Sequence, residues 1–206
     1  MLRRFSRGRH QNIVFSDEKL FDIQQSLNAQ NDRIWAEEAP DTEERVVERT
    51  QKAESVMVWA AIIACAKTPL VFVNQKGKID RYVYMGILKN HFFPWADDVF
   101  GDEDWCFQQD GAPGHKAIET QKFLRGNCPD FIKVDTHWRN ADGEWPPNSP
   151  DSNQMDYSVW SMLEEKACKT PHPNVEYLKR ALPELNLYVK YRMTKMNPAP
   201  QYLLVF

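Results

Sequence analysis

The sequence predicts an α/β fold, and three observations carry that prediction. Short runs rich in β-branched and aromatic residues read as core strands, NIVF at Asn12–Phe15 and SVMVWAAIIAC at Ser55–Cys65 among them. Stretches with the period of a helix follow, at Ile79–Trp95, His115–Arg125 and Ser152–Lys169. The two kinds alternate as strands, helix, strand, helix, strand, helix, the order of a sheet with helices packed on it.

Each element has its own warrant. In Asn12–Phe15, alternation puts Ile13, Phe15 and Asp17 on one face, so Asp17 is expected at or near the end of the first strand. Leu20–Ile23 continues that strand after an irregularity, and Arg33–Trp35 is a brief second strand. Glu37–Glu54 is charged and reads as a solvated loop. Ser55–Cys65 is the buried strand, and Leu70–Val73 is a fourth, ending at a turn around Gln75–Gly77. In Ile79–Trp95, Tyr82, Met85, Leu88, Lys89 and Phe92 follow helical spacing, and the helix is expected to end near Pro94. Asp97–Asp104 is an acidic loop. Trp105–Asp110 is a strand closed by Gly111 and Pro113. In the helix His115–Arg125, Ile118, Phe123 and Leu124 point inward and Gly126 is the C-cap candidate. Phe131–Val134 is a further strand, and His137–Pro150 a long polar loop. In Ser152–Lys169, Met155, Val159, Met162 and Leu163 form one stripe, with Asp156 at its edge, one turn before Trp160. A last helix covers Asn174–Leu182, and order is lost beyond Pro183.

Composition narrows the classes. The 206 residues fit one domain, or one domain with a tail, and seven Trp support a substantial core. Cys65, Cys106, Cys128 and Cys168 lack CxxC spacing and read as reduced thiols of an intracellular protein, not as a zinc site. No signal peptide is visible. The longest apolar run, Val56–Ala66, is too short to span a bilayer, so no membrane partner is expected. A net charge of −3 argues weakly against nucleic-acid binding, but Arg3, Arg4, Arg7, Arg9 and His10 form a basic arm. Such an arm either tracks a phosphate backbone or is a solvated terminus.

Three acids stand out by position. Asp17 ends the first strand, Asp110 ends a later one, and Asp156 lies on a late helix. Acids at strand ends are held by rigid backbone and open to solvent, where α/β folds commonly bind ligands. Brought together, three carboxylates repel, and Mg²⁺ or Mn²⁺ removes the penalty. Two such ions suit in-line phosphoryl displacement. Each acid also has a structural reading. Asp17 is then a turn acid, Asp110 a capping acid and Asp156 a first-turn acid favoured by the helix dipole.

Four segments in order favour the first reading. They are NIVFSDEKLF at Asn12–Phe21, SVMVWAAI at Ser55–Ile62, FQQDGAPGH at Phe107–His115 and WPPNSPDSNQMDYSVWSMLEEK at Trp145–Lys166. Together they resemble the catalytic domain of a Tc1/mariner-type DNA transposase. The resemblance implies an RNase H-like fold, a mixed five-stranded sheet flanked by helices. It also implies a catalytic triad Asp17, Asp110 and Asp156 binding two Mg²⁺ (or Mn²⁺) ions, with the third acid Asp as in mariner-like members. The implied reaction is hydrolysis at the element's ends, then attack by the freed 3′-hydroxyl on target DNA at a TA step, an easily deformed step. The implied partners are transposon ends, TA-containing target DNA and a second copy in a homodimer. The implied location is the nucleus.

Residues 1–11 then read as the end of a basic linker, 12–186 as the catalytic domain and 187–206 as a divergent tail. The family's N-terminal helix-turn-helix reader does not fit before Asn12, so the chain is expected to lack it. The usual SPDLxP is SPDSNQ here, so Gln154 replaces a rigid φ close to Asp156. Thr136–Trp145 reads as longer than usual, which makes Asp151 the fallback third ligand. His115 approaches the scissile phosphate or a metal, or else satisfies a backbone group at a helix start. Trp59, Trp105 and Trp160 fit the core, while Trp138 and Trp145 are the candidates for DNA contact. The rival functions are a decayed or co-opted remnant that binds DNA or protein without cutting, and an RNase H-like nuclease acting on RNA–DNA hybrids.

Overall fold

The computed structural model describes residues 9–24, 53–73, 79–135, 143–144 and 153–183, with the backbone alone at Arg9, His10 and Tyr157. Several sequence expectations lie outside the described residues. They are Arg3, Arg4 and Arg7 of the arm, the strand Arg33–Trp35, most of the charged loop, the turn Gln75–Gly77, Trp138, Trp145, Asp151 and the chain after residue 183.

A short 3₁₀ turn, Arg9–Asn12, leads into β1, Ile13–Asp22. β2 spans Ser55–Ile62 and β3 Val71–Val73. Helix α1, Arg81–Ile87, runs through a π turn, Leu88–Phe92, into α2, Phe93–Phe100. β4, Cys106–Gln108, is followed by the one-turn α3, Pro113–Lys116, by α4, Ile118–Asn127, and by β5, Asp130–Phe131. A second π turn, Met155–Val159, opens α5, Trp160–Ala167, and α6 covers residues 175–183. The strands form one sheet in the order β3-β2-β1-β4-β5. β2 is antiparallel to β1 and β3, while β4 and β5 run parallel to β1 and to each other. This is the mixed five-stranded RNase H-like sheet.

Alternation along the strands divides the core. On one face Val14, Trp59, Ala61 and Phe107 pack on Tyr84, Leu88, Phe92 and Leu124. Phe92 is the hub, with its ring centroid 4.7 Å from Phe107, 5.4 Å from Trp105 and 6.2 Å from Trp59. On the other face Phe21, Val58, Ala60 and Ile62 pack on Met155, Val159, Trp160 and Leu163, with Leu178 and Leu182 behind them. Both layers exclude water from large apolar side chains, the main source of stability in such a fold. No described helix is long and apolar enough to cross a membrane.

Several boundaries differ from those read in the sequence. β1 does not stop near Asp17, because antiparallel pairing with β2 runs unbroken from Phe15↔Ile62 to Asp22↔Ser55 and carries the polar SDEK stretch along. Pro94 does not end its helix. The π turn before it shifts the bonding to Phe93 N–H→Leu88 O, and Pro94 then sits in the first turn of α2, where a missing N–H costs nothing. Asp97 and Asp98 are therefore helical. The inward set is also shifted, since Tyr82 and Ile118 are exposed while Tyr84, Ile87 and Thr120 are buried. The stretch after His115 is two helices, broken at Ala117 (ψ 135°), and Gly126 lies inside the second. β2 ends at Ile62, and β5 is shorter than Phe131–Val134.

Candidate active site

β4 pairs with β1 only from Ile13↔Cys106 to Phe15↔Gln108. Past that point β1 continues without β4, and the chain leaving β4 carries Asp110 alongside the Ser16–Glu18 stretch. Two hydrogen bonds secure the junction. Ser16 Oγ donates to Gln108 O at 3.0 Å, and Asn153 Nδ2 donates to Ser16 O at 3.3 Å. Asn153 is 1% exposed, and its Oδ1 also accepts from Met155 N–H at 3.1 Å, capping the π turn that follows. One buried amide thus ties the start of the late helix to β1 beside Asp17. Gln154, where the resemblance leads one to expect a rigid φ, has φ −60°, the value that a proline would impose.

Asp17 faces the α5 side of the sheet and is 6% exposed. Trp160 Nε1 donates to Asp17 Oδ2 at 2.6 Å, and the Asp156 carboxyl lies within hydrogen-bonding reach. The wide π turn puts residues four and five apart on one face, so Asp156 and Trp160 converge on the same partner. Burial, then the charge of Asp156, then that of Glu18, push Asp17 up to about 8 against the opposing Trp160 bond. Near neutral pH Asp17 therefore favours its protonated form. Asp156 itself is exposed, not tucked at the core edge as its place beside the apolar stripe implies.

Glu18 faces the other way, toward α1 and α3. There His115, 4% exposed, has a carboxylate at each ring nitrogen. Nδ1 is 2.6 Å from Asp110 Oδ1, and Nε2 forms an ion pair with Glu18 Oε1 at 3.3 Å that lacks hydrogen-bond alignment. Burial disfavours the imidazolium, but Glu18 and Asp110 outweigh it and raise His115 to about 10. Burial also pushes Asp110 up, yet the His115 contact and the Ala112 N–H, 2.9 Å away, hold it below the usual carboxylate range. Its side chain is 44% exposed, open to a ligand. α3 is set down tightly on the start of α1. A Cβ on Gly114 would lie 3.1 Å from Ile79 O, a gap that favours glycine. Thr120 Oγ1→Gly114 O (2.7 Å) and Gln121 Nε2→His115 O (2.9 Å) satisfy carbonyls freed by the break at Ala117.

The structure therefore joins Asp17 to Asp156 and turns Asp110 onto His115. Among the described residues, no three His, Cys, Asp or Glu side chains stand together as a metal cage. The donor chemistry still fits a hard divalent cation. Asp17 and Asp156 are two adjoining carboxylates whose described hydrogen-bond donor is a neutral indole, and Asp110 keeps Oδ2 clear of the bonds made by Oδ1. His115 is buried, and its side-chain partners are carboxylates, not a backbone group. Trp59, Trp105 and Trp160 are core residues as expected. Sequence reasoning missed Glu18, Asn153 and the indole donor of Trp160. Strand alternation placed Glu18 opposite Asp17, and that was the one signal available for it.

Comparison with known proteins adds likenesses in sequence and in fold. No family model matches the chain. It is 34% identical over 112 residues to the Transposable element Tcb1 transposase of Caenorhabditis briggsae, covering 54% of this chain and 36% of that protein. It is 31% identical over 110 residues to the Tcb2 transposase of the same organism, covering 53% and 35%. The matched stretch thus spans about a third of either relative's length. A Mos1 transposase paired-end complex with left transposon end superposes with a TM-score of 0.69 at 16% identity, over 95% of this chain and 55% of that one. A mariner Mos1 paired end complex with Mg gives 0.68 at 17%, over 88% and 50%. The catalytic domain of Mos1 mariner transposase gives 0.61 at 15%, over 94% and 80%. At these identities the structural likeness establishes the fold.

Proposed function

We propose that this chain, homologous over half its length to Tc1/mariner-type transposases, is a metal-dependent DNA transposase catalytic domain. The observation that carries this reading is the meeting of Asp17 and Asp156 across 139 positions, with burial and mutual repulsion raising Asp17 to about 8. A buried carboxylate with a second acid beside it and no described cationic partner is costly unless a proton or a cation neutralises it.

Within this reading each residue has a task. Trp160 fixes Asp17 Oδ2 and so orients the carboxylate. Asp156 approaches from the late helix, anchored by Asn153. Asp110 faces the same edge of β1 from the end of β4, with Oδ2 available. When bound, a pair of Mg²⁺ or Mn²⁺ ions supplies charge neutralisation for the acids and for the attacking and leaving oxygens of an in-line displacement at phosphate. The substrates are transposon-end DNA and a TA-containing target, handled by a homodimer.

Asp110→Asn is expected to abolish Mg²⁺-dependent DNA nicking by the purified chain, and equal nicking by the two proteins would reject the assignment. One observation favours a second reading. Asp110 is neutralised by His115, and no three-ligand cage exists among the described residues, as in a remnant that binds DNA without cutting it. Calorimetric titration with Mn²⁺ separates the two. Binding that disappears with the acids supports the enzyme, and absence of carboxylate-dependent binding supports the remnant.

A further inference from the structure

We infer that Glu18 is a positioning residue, which acts through His115 to fix the Asp110 carboxylate. The inference rests on the reading of Asp110 as a site acid. Its starting point is a violation of pattern. On β1 the face that carries Val14 packs into the Trp59–Phe92 core, and an apolar residue would suit position 18. A glutamate stands there instead, with a side chain 13% exposed. Its Oε1 is cut off from solvent, and the group it faces is His115 Nε2 at 3.3 Å. Burying a carboxylate oxygen this way costs stability that apolar packing would not cost, so the arrangement calls for a use.

The geometry supplies one. His115 bridges Glu18 and Asp110, one nitrogen to each, hydrogen-bonded to Asp110 through Nδ1 and ion-paired with Glu18 through Nε2. Its ring also lies against Tyr84, with centroids 4.0 Å apart and planes inclined by 38°. Tyr84 is itself held by Tyr84 Oη→Gln109 Oε1 at 2.6 Å. The ring thus lies against Tyr84 and between two carboxylates, with Nδ1 2.6 Å from Asp110 Oδ1. Asp110 follows β4 in irregular chain, so its own backbone gives less support than Asp17 receives from β1. The Glu18–His115 pair supplies what the strand does not. Partners standing behind a ligand in this way commonly govern affinity about 10–100-fold.

The test uses Glu18→Gln, which keeps size and removes charge, and Glu18→Asp, which keeps charge and shortens reach. Full-length proteins are titrated with Mn²⁺ by calorimetry, assayed for DNA nicking against Mg²⁺ concentration, and melted. Glu18→Gln is expected to weaken Mn²⁺ binding and raise half-saturating Mg²⁺ at least about 10-fold, with a small change in Tm and partial recovery in Glu18→Asp. Lowered Tm with unchanged ion affinity in both variants would make the pair merely structural and overturn the inference. Should Glu18→Gln fail to fold, Glu18→Asp alone decides by the same two readouts. Asp110→Asn runs beside them as the reference. If it too leaves ion affinity unchanged, the fault lies with the assignment of Asp110, and the inference falls with it. If it weakens binding and the Glu18 variants do not, the inference alone is wrong.

Discussion

Asp17 and Glu18 are adjacent on β1, and strand alternation sends them to opposite faces. Each meets a second carboxylate. On the Glu18 side a buried imidazole stands between the two acids, and Asp110 is held below its usual range. On the Asp17 side the bridging donor is a neutral indole, and Asp17 is raised to about 8. The same local inventory of two acids therefore has one half compensated within the protein and one half left to an outside charge. A compensated cluster serves as scaffold. An uncompensated one, close to solvent through the exposed Asp156, is where an added cation gains most.

The largest effect is expected where compensation is missing. Asp156→Asn should remove Mn²⁺ binding and lower Mg²⁺-dependent nicking by more than about 100-fold, since even a partner behind a ligand is worth about 10–100-fold. Retained binding would erase the distinction between the halves. Trp160→Phe keeps most of the packing and deletes one donor. A hydrogen bond to a charged group contributes about 1.5–3 kcal/mol, so calorimetry should show Mn²⁺ affinity reduced by roughly one order of magnitude or somewhat more.

The smallest effect is on stability. In the unfolded chain Asp17 titrates near its ordinary value of 3.8, whereas in the fold it holds its proton to about 8. The native state then binds more protons across that window, and metal-free stability falls as pH rises through it. His115, raised to about 10, adds a similar decline only above its ordinary value of 6.5. Between pH 4.5 and 6.5 the Asp17 contribution is thus separable. With chelator present, wild type should lose more Tm over that interval than Asp17→Asn, and parallel curves would show that Asp17 is not raised.

The α/β order and most strands were legible because burial leaves period-two and helical patterns in the sequence. β2 and the stripe Met155, Val159 and Leu163 illustrate this. The polar half of β1 was not legible. SDEK has weak strand character, and its conformation is imposed by partner strand β2, which lies far off in sequence. The π turns were equally invisible, since they shift a helix's phase without altering composition, and they explain why Tyr82 was read as inward and Pro94 as a stop. Asp17, Asp110 and Asp156 could be singled out by position and resemblance. Their unequal company could not, because Glu18 meets His115 across 97 positions and Trp160 meets Asp17 across 143, separations for which periodicity has no signal.

Anomalous diffraction from crystals of the chain soaked in Mn²⁺ tests the central claim most directly. The account predicts a manganese peak between the Asp17 and Asp156 carboxylates, with Asp110 Oδ2 turned toward the site while Oδ1 stays on His115. Density that leaves Asp17 and Asp156 in contact through a proton, with manganese absent or bound elsewhere, would contradict it.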